Sequence, residues 1–348
     1  MIPLHHAPLH LLGTHQSALL RLGANAWPAG SLSLSLASGL RRDQSHTTAL
    51  RKPSLFLIGA MKSGTTYLNK LLGAHPAIFM CAPEEPSYFV DPTQLRTLWP
   101  EVWDLGFWRD EARYLELFRP GRDAAWLGEA STNYTKRPLV PDVPEKLRRF
   151  NPDARFIYLL RDPVERTISH YWHMVRYHAE RRPMLQAIAS EPQYLDVSHY
   201  AMQLLPYLDG FGADRVAVLT FEQLTAAPVA AMRSVYDWLG VDAAAADLSQ
   251  FGSAENVTPA VVPMATGFGV LRRLRQSRPL RVLTPHLPQP VRRLGLRLTT
   301  RQVRRRAVAV SEVVAFLRPI QRRQTEQLER LLGRRFPEWT TLYGENSA

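Results

Sequence analysis

Residues 56–72 of this 348-residue chain read FLIGAMKSGTTYLNKLL. A short apolar run, a glycine-containing loop and a segment with helical spacing predict a strand, a tight turn and a helix. Gly59 and Gly64 keep the spacing of the phosphate-binding loop G-x-x-x-x-G-K-[ST], and Thr66 occupies its hydroxyl position. The stretch therefore predicts an anion site at a helix N-terminus, with an ordinary strand-to-helix turn as the alternative.

The position of the lysine indicates which anion. In an ATP loop the lysine follows the second glycine and lies along the β- and γ-phosphates, which a magnesium ion bridges. Here the lysine comes earlier, inside the loop, where its ammonium would neutralise the bridging oxygen that leaves a first phosphate, without a metal. That position suits transfer from a phosphosulfate. The residues expected to hold this ligand are Lys62, Ser63, Gly64, Thr65 and Thr66.

A second strand, loop and helix are predicted over 154–173, ARFIYLLRDPVERTISHYWH. Asp162 fits the N-cap of the helix, and Glu165 would complete a capping box. Arg161 then lies at the carboxyl end of its strand, where ligands bind in open α/β sheets. With the Ser169 hydroxyl two turns into the helix, its guanidinium suits a second phosphate. A surface ion pair between Arg161 and Asp162 is the alternative.

Together these stretches resemble the sulfotransferases that use 3′-phosphoadenosine 5′-phosphosulfate (PAPS). LIGAMKSGTT is similar to their 5′-phosphosulfate loop, and YLLRDPVERTISHY is similar to their 3′-phosphate motif. The similarity is to the heparan-sulfate type, the N- and 3-O-sulfotransferases and their bacterial relatives, over Pro53 to Trp339. It implies a P-loop-like fold and PAPS as donor, with the loop from Lys62 to Thr66 on the 5′ side and Arg161 and Ser169 on the 3′-phosphate.

Sulfuryl transfer to a hydroxyl also needs a base, and a carboxylate serves well. The 3-O-sulfotransferases supply it from a Lys-Glu-Pro stretch, so the resemblance assigns the base to Glu85, while Glu84 departs from the family's lysine. Glu129 is a second candidate, with a structural role as its alternative. His173 and His178 either line the acceptor cleft or belong to the core.

The fold class expected is α/β, with a central parallel sheet flanked by helices in three α/β/α layers. Apolar runs and alternating helical segments predict it. The predicted strands are 55–58, 126–127 continuing to 129, 156–160 and 216–221, and the predicted helices are 65–72, 164–177, 201–208, 227–239 and 312–332.

The composition is that of a soluble protein with a full core, at 45% hydrophobic and 21% charged residues. A single cysteine, Cys81, excludes an intramolecular disulfide, and no apolar run reaches membrane-spanning length. We expect a flexible leader over 1–52, one sulfotransferase domain over 53–343, and a cytoplasmic location, with peripheral contact to a membrane left open.

The net charge of +12 comes from one segment, because residues 256–311 contain twelve arginines and no acid. This Arg-rich segment, 266–310, would bind an anionic glycan, a lipid head group or a membrane surface, or form a solvated surface. No nucleic-acid module accompanies it, so no nucleic acid is expected. The resemblance places the start of a cofactor-closing loop at ENVTP, 255–259.

The sequence thus predicts a PAPS-dependent sulfotransferase that acts, without a metal, on a hydroxyl or amine of a saccharide or lipid-linked saccharide. Two alternatives remain. A nucleotide kinase would need magnesium and a lysine in the position of Thr65. A non-catalytic anion- or membrane-binding relative would have no reason to combine Lys62, Glu85, Arg161 and Ser169.

Overall fold

The computed structural model describes residues 50–248, 261–265, 300–304 and 310–344. Nearly all of the expected leader, the ENVTP loop and most of the Arg-rich segment lie outside these residues. Among the helices it describes, none combines the length and the apolar character needed to cross a membrane.

A five-stranded parallel sheet forms the centre of the molecule, in the order β2-β3-β1-β4-β5. Its strands are β1 (Leu55–Gly59), β2 (Ile78–Met80), β3 (Trp126–Ala130), β4 (Arg155–Leu160) and β5 (Val216–Thr220). All five residues of β1 are buried, as expected of a central strand covered on both faces. A separate antiparallel pair joins β6 (Val261–Ala265) to β7 (Thr300–Arg304), and β6 lies against the long helix that follows β4.

Helices cover both faces of the sheet. They are α1 (Thr65–Gly73), α2 (Pro92–Leu98), α3 (Pro100–Leu105), α4 (Glu111–Leu115), α5 (Val143–Phe150), α6 (Pro163–Tyr177), α7 (Met184–Ser190), α8 (Gln193–Asp196), α9 (Tyr200–Phe211), α10 (Phe221–Ala226), α11 (Pro228–Leu239), α12 (Ser311–Leu332) and α13 (Thr340–Tyr343). Alternate residues of β1 face two different cores, because side chains alternate along a strand. Leu55 and Leu57 pack with α1 and α11, while Phe56 and Ile58 pack with α5, α6 and α9. The predicted three-layer α/β/α class is confirmed.

The four predicted strands and five predicted helices are all present. The prediction missed the three-residue strand β2 and the antiparallel pair of β6 and β7. It also missed the helices of four to eight residues, which are too brief for a clear period: α2, α3, α4, α5, α7, α8, α10 and α13. The predicted strand 216–221 ran one residue too far, because Phe221 begins α10, and the helix predicted over 227–239 is α11, which begins at Pro228. These short elements matter for the site, because the segments around β2 and β3 carry its carboxylates.

Candidate active site

The loop between β1 and α1 is held in a tight turn by backbone hydrogen bonds, one to the neighbouring strand β4 and one within the loop. Ala60 N–H donates to the Leu159 carbonyl at 2.7 Å, and Ser63 N–H donates to the Ala60 carbonyl at 3.1 Å. Gly64 has a φ of +94°, and a Cβ there would lie 2.7 Å from the Phe221 ring. Glycine is therefore required at this position both for its backbone angle and for space.

The same loop offers unused hydrogen-bond donors. Gly64 is the N-cap of α1 and provides no side-chain cap, while the first N–H groups of any helix lack an intrahelical carbonyl. The Ser63 hydroxyl is fully buried and has no partner among the described residues. Together with the positive end of the helix dipole, this arrangement fits the 5′-phosphate group of a nucleotide.

Arg161 brings the second motif to this loop. Its guanidinium donates to the Lys62 carbonyl at 3.4 Å and lies 5.1 Å from the centre of the Phe221 ring. Its acidic neighbour is Glu165, at 3.4 Å. The surface pair with Asp162 is not found, because Asp162 caps α6 and also accepts the Leu342 N–H at 2.9 Å. The loop of Lys62 and the predicted 3′-phosphate residue Arg161 are therefore in contact.

The predicted N-cap of α6 is confirmed, but its capping box is wrong. The Asp162 carboxylate accepts the Val164 and Glu165 N–H groups at 2.9 and 3.3 Å. The Asp162 N–H, however, donates to Glu222 of α10 at 2.9 Å instead of to Glu165. Glu165 turns away toward Arg161 and Thr341. A partner from a distant helix thus replaces the local one.

Ser169 lies in α6 and is 6% exposed. No hydrogen bond joins its hydroxyl to another side chain in the described part of the chain, and none joins it to Arg161. Its assignment to a 3′-phosphate stays a prediction.

Glu85 is fixed beside the end of β3. Its carboxylate accepts the Thr132 N–H at 2.9 Å and the Thr132 hydroxyl at 2.8 Å, while its own N–H donates to the Ala130 carbonyl at 2.8 Å. Burial raises the pKa of Glu85, and the hydrogen bonds from Thr132 and the charge of Lys136 partly offset this increase. A positioned carboxylate with a raised pKa is suited to accept a proton near neutral pH.

The Glu84 side chain lies against α1, the helix that follows the predicted phosphate loop. One carboxylate oxygen accepts the Thr66 hydroxyl and the other accepts the Asn69 amide, both at 3.1 Å. The Thr66 hydroxyl, which the sequence assigns to the anion, therefore donates to Glu84 in this structure. The residue that replaces the family's lysine places a negative charge at the edge of the predicted phosphate site.

The second candidate base, Glu129, lies in the core. Its side chain is fully buried, and burial raises its pKa to about 8, which the hydroxyl groups of Tyr134 and Tyr114 only partly offset. A fully buried carboxyl has no exposed surface at which an acceptor could present its proton. The geometry favours the structural role.

Two buried cations near the loop were not predicted. The Arg166 guanidinium, fully buried, donates to Ser198 at 2.6 Å and to the Met61 carbonyl of the loop at 3.4 Å. The ammonium of Lys136, 7% exposed, lies 3.1 Å from the Met61 sulfur. The chain contains only five lysines against 38 arginines, so this scarcity marks Lys136 as much as Lys62.

The candidate histidines lie toward the end of α6. Partial burial and then the charge of Lys62 lower the pKa of His173, which keeps this ring neutral beside the loop lysine. His178 is exposed at the end of the helix, and its ring centre lies 5.6 Å from that of His173. That these histidines line an acceptor cleft stays a prediction. No three His, Cys, Asp or Glu side chains of the described residues form a group that could hold a metal.

Comparison with known proteins gives a consistent result. The sequence model of the Sulfotransferase family matches residues 53–245. A membrane-associated sulfotransferase, kil1, of Dictyostelium discoideum is 30% identical over 36% of this chain and 24% of its own length. Heparan sulfate glucosamine 3-O-sulfotransferase 3A1 of Mus musculus is 23% identical over 63% of this chain and 54% of its own. The chain thus spans about half or less of these two relatives.

A solved structure, a sulfotransferase from Alicyclobacillus acidocaldarius, is 26% identical and superposes with a TM-score of 0.55 over 83% of this chain and 99% of that one. The family match covers more than half of this chain and contains both phosphate motifs. The resemblance read from those motifs is confirmed, and the chain belongs to the sulfotransferase family.

Proposed function

We propose that this protein transfers a sulfuryl group from PAPS to a hydroxyl or amine acceptor, without a metal. One observation carries the proposal: the loop of Lys62 and the guanidinium of Arg161 meet at the carboxyl edge of the sheet. The side chains of Lys62 and Arg161 supply two cations for the two phosphate groups of PAPS. We call the loop 59–66 with Arg161 the donor side.

We call Glu85, Thr132 and Lys136 the acceptor side. Two hydrogen bonds from Thr132 hold the Glu85 carboxylate in position to take the acceptor proton. When bound, PAPS supplies an activated sulfuryl group. The acceptor oxygen forms a bond to sulfur as the bond from sulfur to the bridging phosphate oxygen breaks. Glu85 takes the acceptor proton, and Lys62 neutralises the leaving phosphate.

The acceptor we propose is a saccharide or a lipid-linked saccharide. The name of the mouse relative, a heparan sulfate 3-O-sulfotransferase, supports a sugar hydroxyl. Glu84, however, places a carboxylate where the resemblance expects a lysine. An acceptor less acidic than heparan sulfate suits this charge.

We also propose that the protein is cytoplasmic and peripheral at a membrane, with its Arg-rich segment, 266–310, on an anionic surface. Twelve arginines between 256 and 311, with no acid among them, support this contact. The relative from Dictyostelium discoideum is named as membrane-associated.

Incubation with radiolabelled PAPS, EDTA and a panel of glycans, glycolipids, amines and phenols tests the reaction. We expect label on at least one hydroxyl or amine acceptor in the absence of divalent cations. A kinase would instead transfer phosphate from labelled ATP in magnesium. Phosphate transfer without sulfuryl transfer, or an absolute need for magnesium, would contradict the proposal.

A further inference from the structure

Lys136 follows β3, lies outside both phosphate motifs, and is buried beside the donor loop. We propose that Lys136 is a second cation of the active site, which contacts the sulfuryl group while it passes from donor to acceptor. The inference rests on the proposed sulfuryl transfer and assigns Lys136 a role in it.

The position of Lys136 supports this role. Its ammonium lies 3.1 Å from the sulfur of Met61, the residue directly before Lys62 in the donor loop. Among the charged groups around it, the Glu85 carboxylate has the largest effect on its titration. Lys136 therefore lies against the loop that holds the donor, and its charge and that of the proposed base influence each other.

The ammonium of Lys136 is buried without an anionic partner. It is 7% exposed and contacts a thioether sulfur and, at 5.3 Å, the ring of Trp99. In the part of the chain that the structure describes, no carboxylate oxygen lies within ion-pair distance of it. A buried cation of this kind destabilises the fold. Such a cost is typical of groups kept for function.

Burial lowers the pKa of Lys136 to about 8, so that most of the lysine is charged at neutral pH. The carboxylates of Glu85 and Glu101 act against this shift, and the Arg166 guanidinium adds to it. The titratable and charged groups coupled to it are Glu85, Glu101, Arg166, His170, His173 and His178.

The proposed step requires no other reactant. The sulfur–oxygen bond to the acceptor forms, the bond to the bridging phosphate oxygen breaks, and the acceptor proton moves to Glu85. As sulfur passes from the donor oxygen to the acceptor oxygen, its three non-bridging oxygens, which share one negative charge, flatten into a plane between the two, so that their positions differ from those in the bound donor. A preorganised ammonium beside them stabilises the transition state, as an oxyanion donor does.

If Lys136 had only a structural role, replacing it should lower the stability of the fold. If it is kept for function, replacing it should leave stability unchanged or raise it. Because the charged form of Lys136 is disfavoured in the fold, wild-type stability should rise as the pH increases from about 8 toward the unfolded value of 10.5. Lys136→Met removes the buried charge and keeps the volume. We therefore expect this variant to melt at the same temperature as wild type or higher at neutral pH, and to lack the alkaline rise in stability.

The experiment compares Lys136→Met and Lys136→Arg with the control Lys146→Met, which removes a lysine paired with Asp142 at 2.7 Å. The readouts are melting temperature, calorimetric affinity for 3′-phosphoadenosine 5′-phosphate (PAP), and sulfate release from PAPS with water as acceptor. PAP lacks the sulfuryl group, so it separates donor binding from contact with that group.

We expect Lys136→Met to lower sulfate release by about 10²–10³-fold, the usual loss for one such donor, with unchanged PAP affinity. Lys136→Arg should recover part of the rate and move the alkaline limb of the pH–rate profile, near 8 in wild type, to higher pH. The alkaline limb should persist in Glu129→Gln. This control removes the buried Glu129 carboxyl, whose pKa is raised by burial to about 8, in the same range as that of Lys136.

Normal sulfate release by Lys136→Met, or a loss that only follows a fall in folded protein, would overturn the inference. So would a loss of PAP affinity as large as the loss of rate, because Lys136 would then bind the nucleotide phosphate. Failure of the proposed function looks different: the wild type itself would neither bind PAP nor release sulfate from PAPS.

Discussion

The donor side and the acceptor side are built in different ways. The donor side is mostly backbone: a glycine loop and a helix N-terminus within 59–66, which Arg161 then joins. The acceptor side is made of side chains that meet only through the fold, since Glu85 binds Thr132, 47 residues away, and Lys136 contacts Met61, 75 residues away. A local backbone motif can be recognised in a sequence, whereas an assembly of distant side chains cannot.

The largest effect expected on the donor side follows removal of the loop lysine. Lys62→Ala should lower turnover by about 10²–10³-fold, because the leaving phosphate loses its neutralising cation. Steady-state kinetics with the acceptor found in the labelling panel measures this. A loss confined to the apparent affinity for PAPS, with turnover intact, would show that the lysine only binds the donor.

The matching effect on the acceptor side is a change in pH dependence. Glu85→Gln keeps the side-chain size but cannot accept a proton, so turnover should fall by about 10²-fold or more. In wild type, activity should fall as the pH decreases through the raised pKa of Glu85, because the protonated carboxyl is not a base. The variant should lack this acidic limb.

Glu129→Gln is the control for that profile, since Glu129 is buried in the core beside Tyr114 and Tyr134. It should keep the acidic limb. If Glu129→Gln loses the limb and Glu85→Gln keeps it, the base has been assigned to the wrong carboxyl.

A smaller effect is expected at Glu84, where the two sides touch. Its carboxylate binds Thr66 and Asn69 of α1 and should repel a phosphate at the same helix end. Glu84→Gln should therefore raise the affinity for PAP by roughly fivefold, as expected for about 1 kcal/mol of relieved repulsion. Glu111→Gln, on the surface beside Lys52 at 3.9 Å, is the matched control. Unchanged or weaker PAP binding in Glu84→Gln would show that this carboxylate organises Thr66 and does not repel the ligand.

The sequence predicts most of the fold because its signals are local. Continuous apolar runs mark the buried strands β1, β4 and β5, and Asp162 is recognisable as an N-cap from the residues beside it. Glu165 shows the limit of local patterns, because the sequence pattern of a capping box is present there but the capping-box hydrogen bond does not form. Glu222, 60 residues away, binds the Asp162 N–H in its place.

The acceptor side was less accessible from the sequence for the same reason. Glu85 could be assigned through resemblance to a Lys-Glu-Pro stretch, but the pattern does not report its partner, Thr132. Lys136 carries no motif at all, and only its burial against Met61 and Trp99 brings it into the site. The scarcity of lysine was its one sequence signal.

Calorimetric titration with PAP in EDTA tests the division into two sides most directly. We predict that wild type binds PAP without divalent cations, that Arg161→Ala weakens binding by about 10–10²-fold through loss of a charge-assisted contact, and that Glu85→Gln leaves it unchanged. Tighter binding of ATP with magnesium than of PAP, or an equal loss of PAP affinity in Arg161→Ala and Glu85→Gln, would contradict the account.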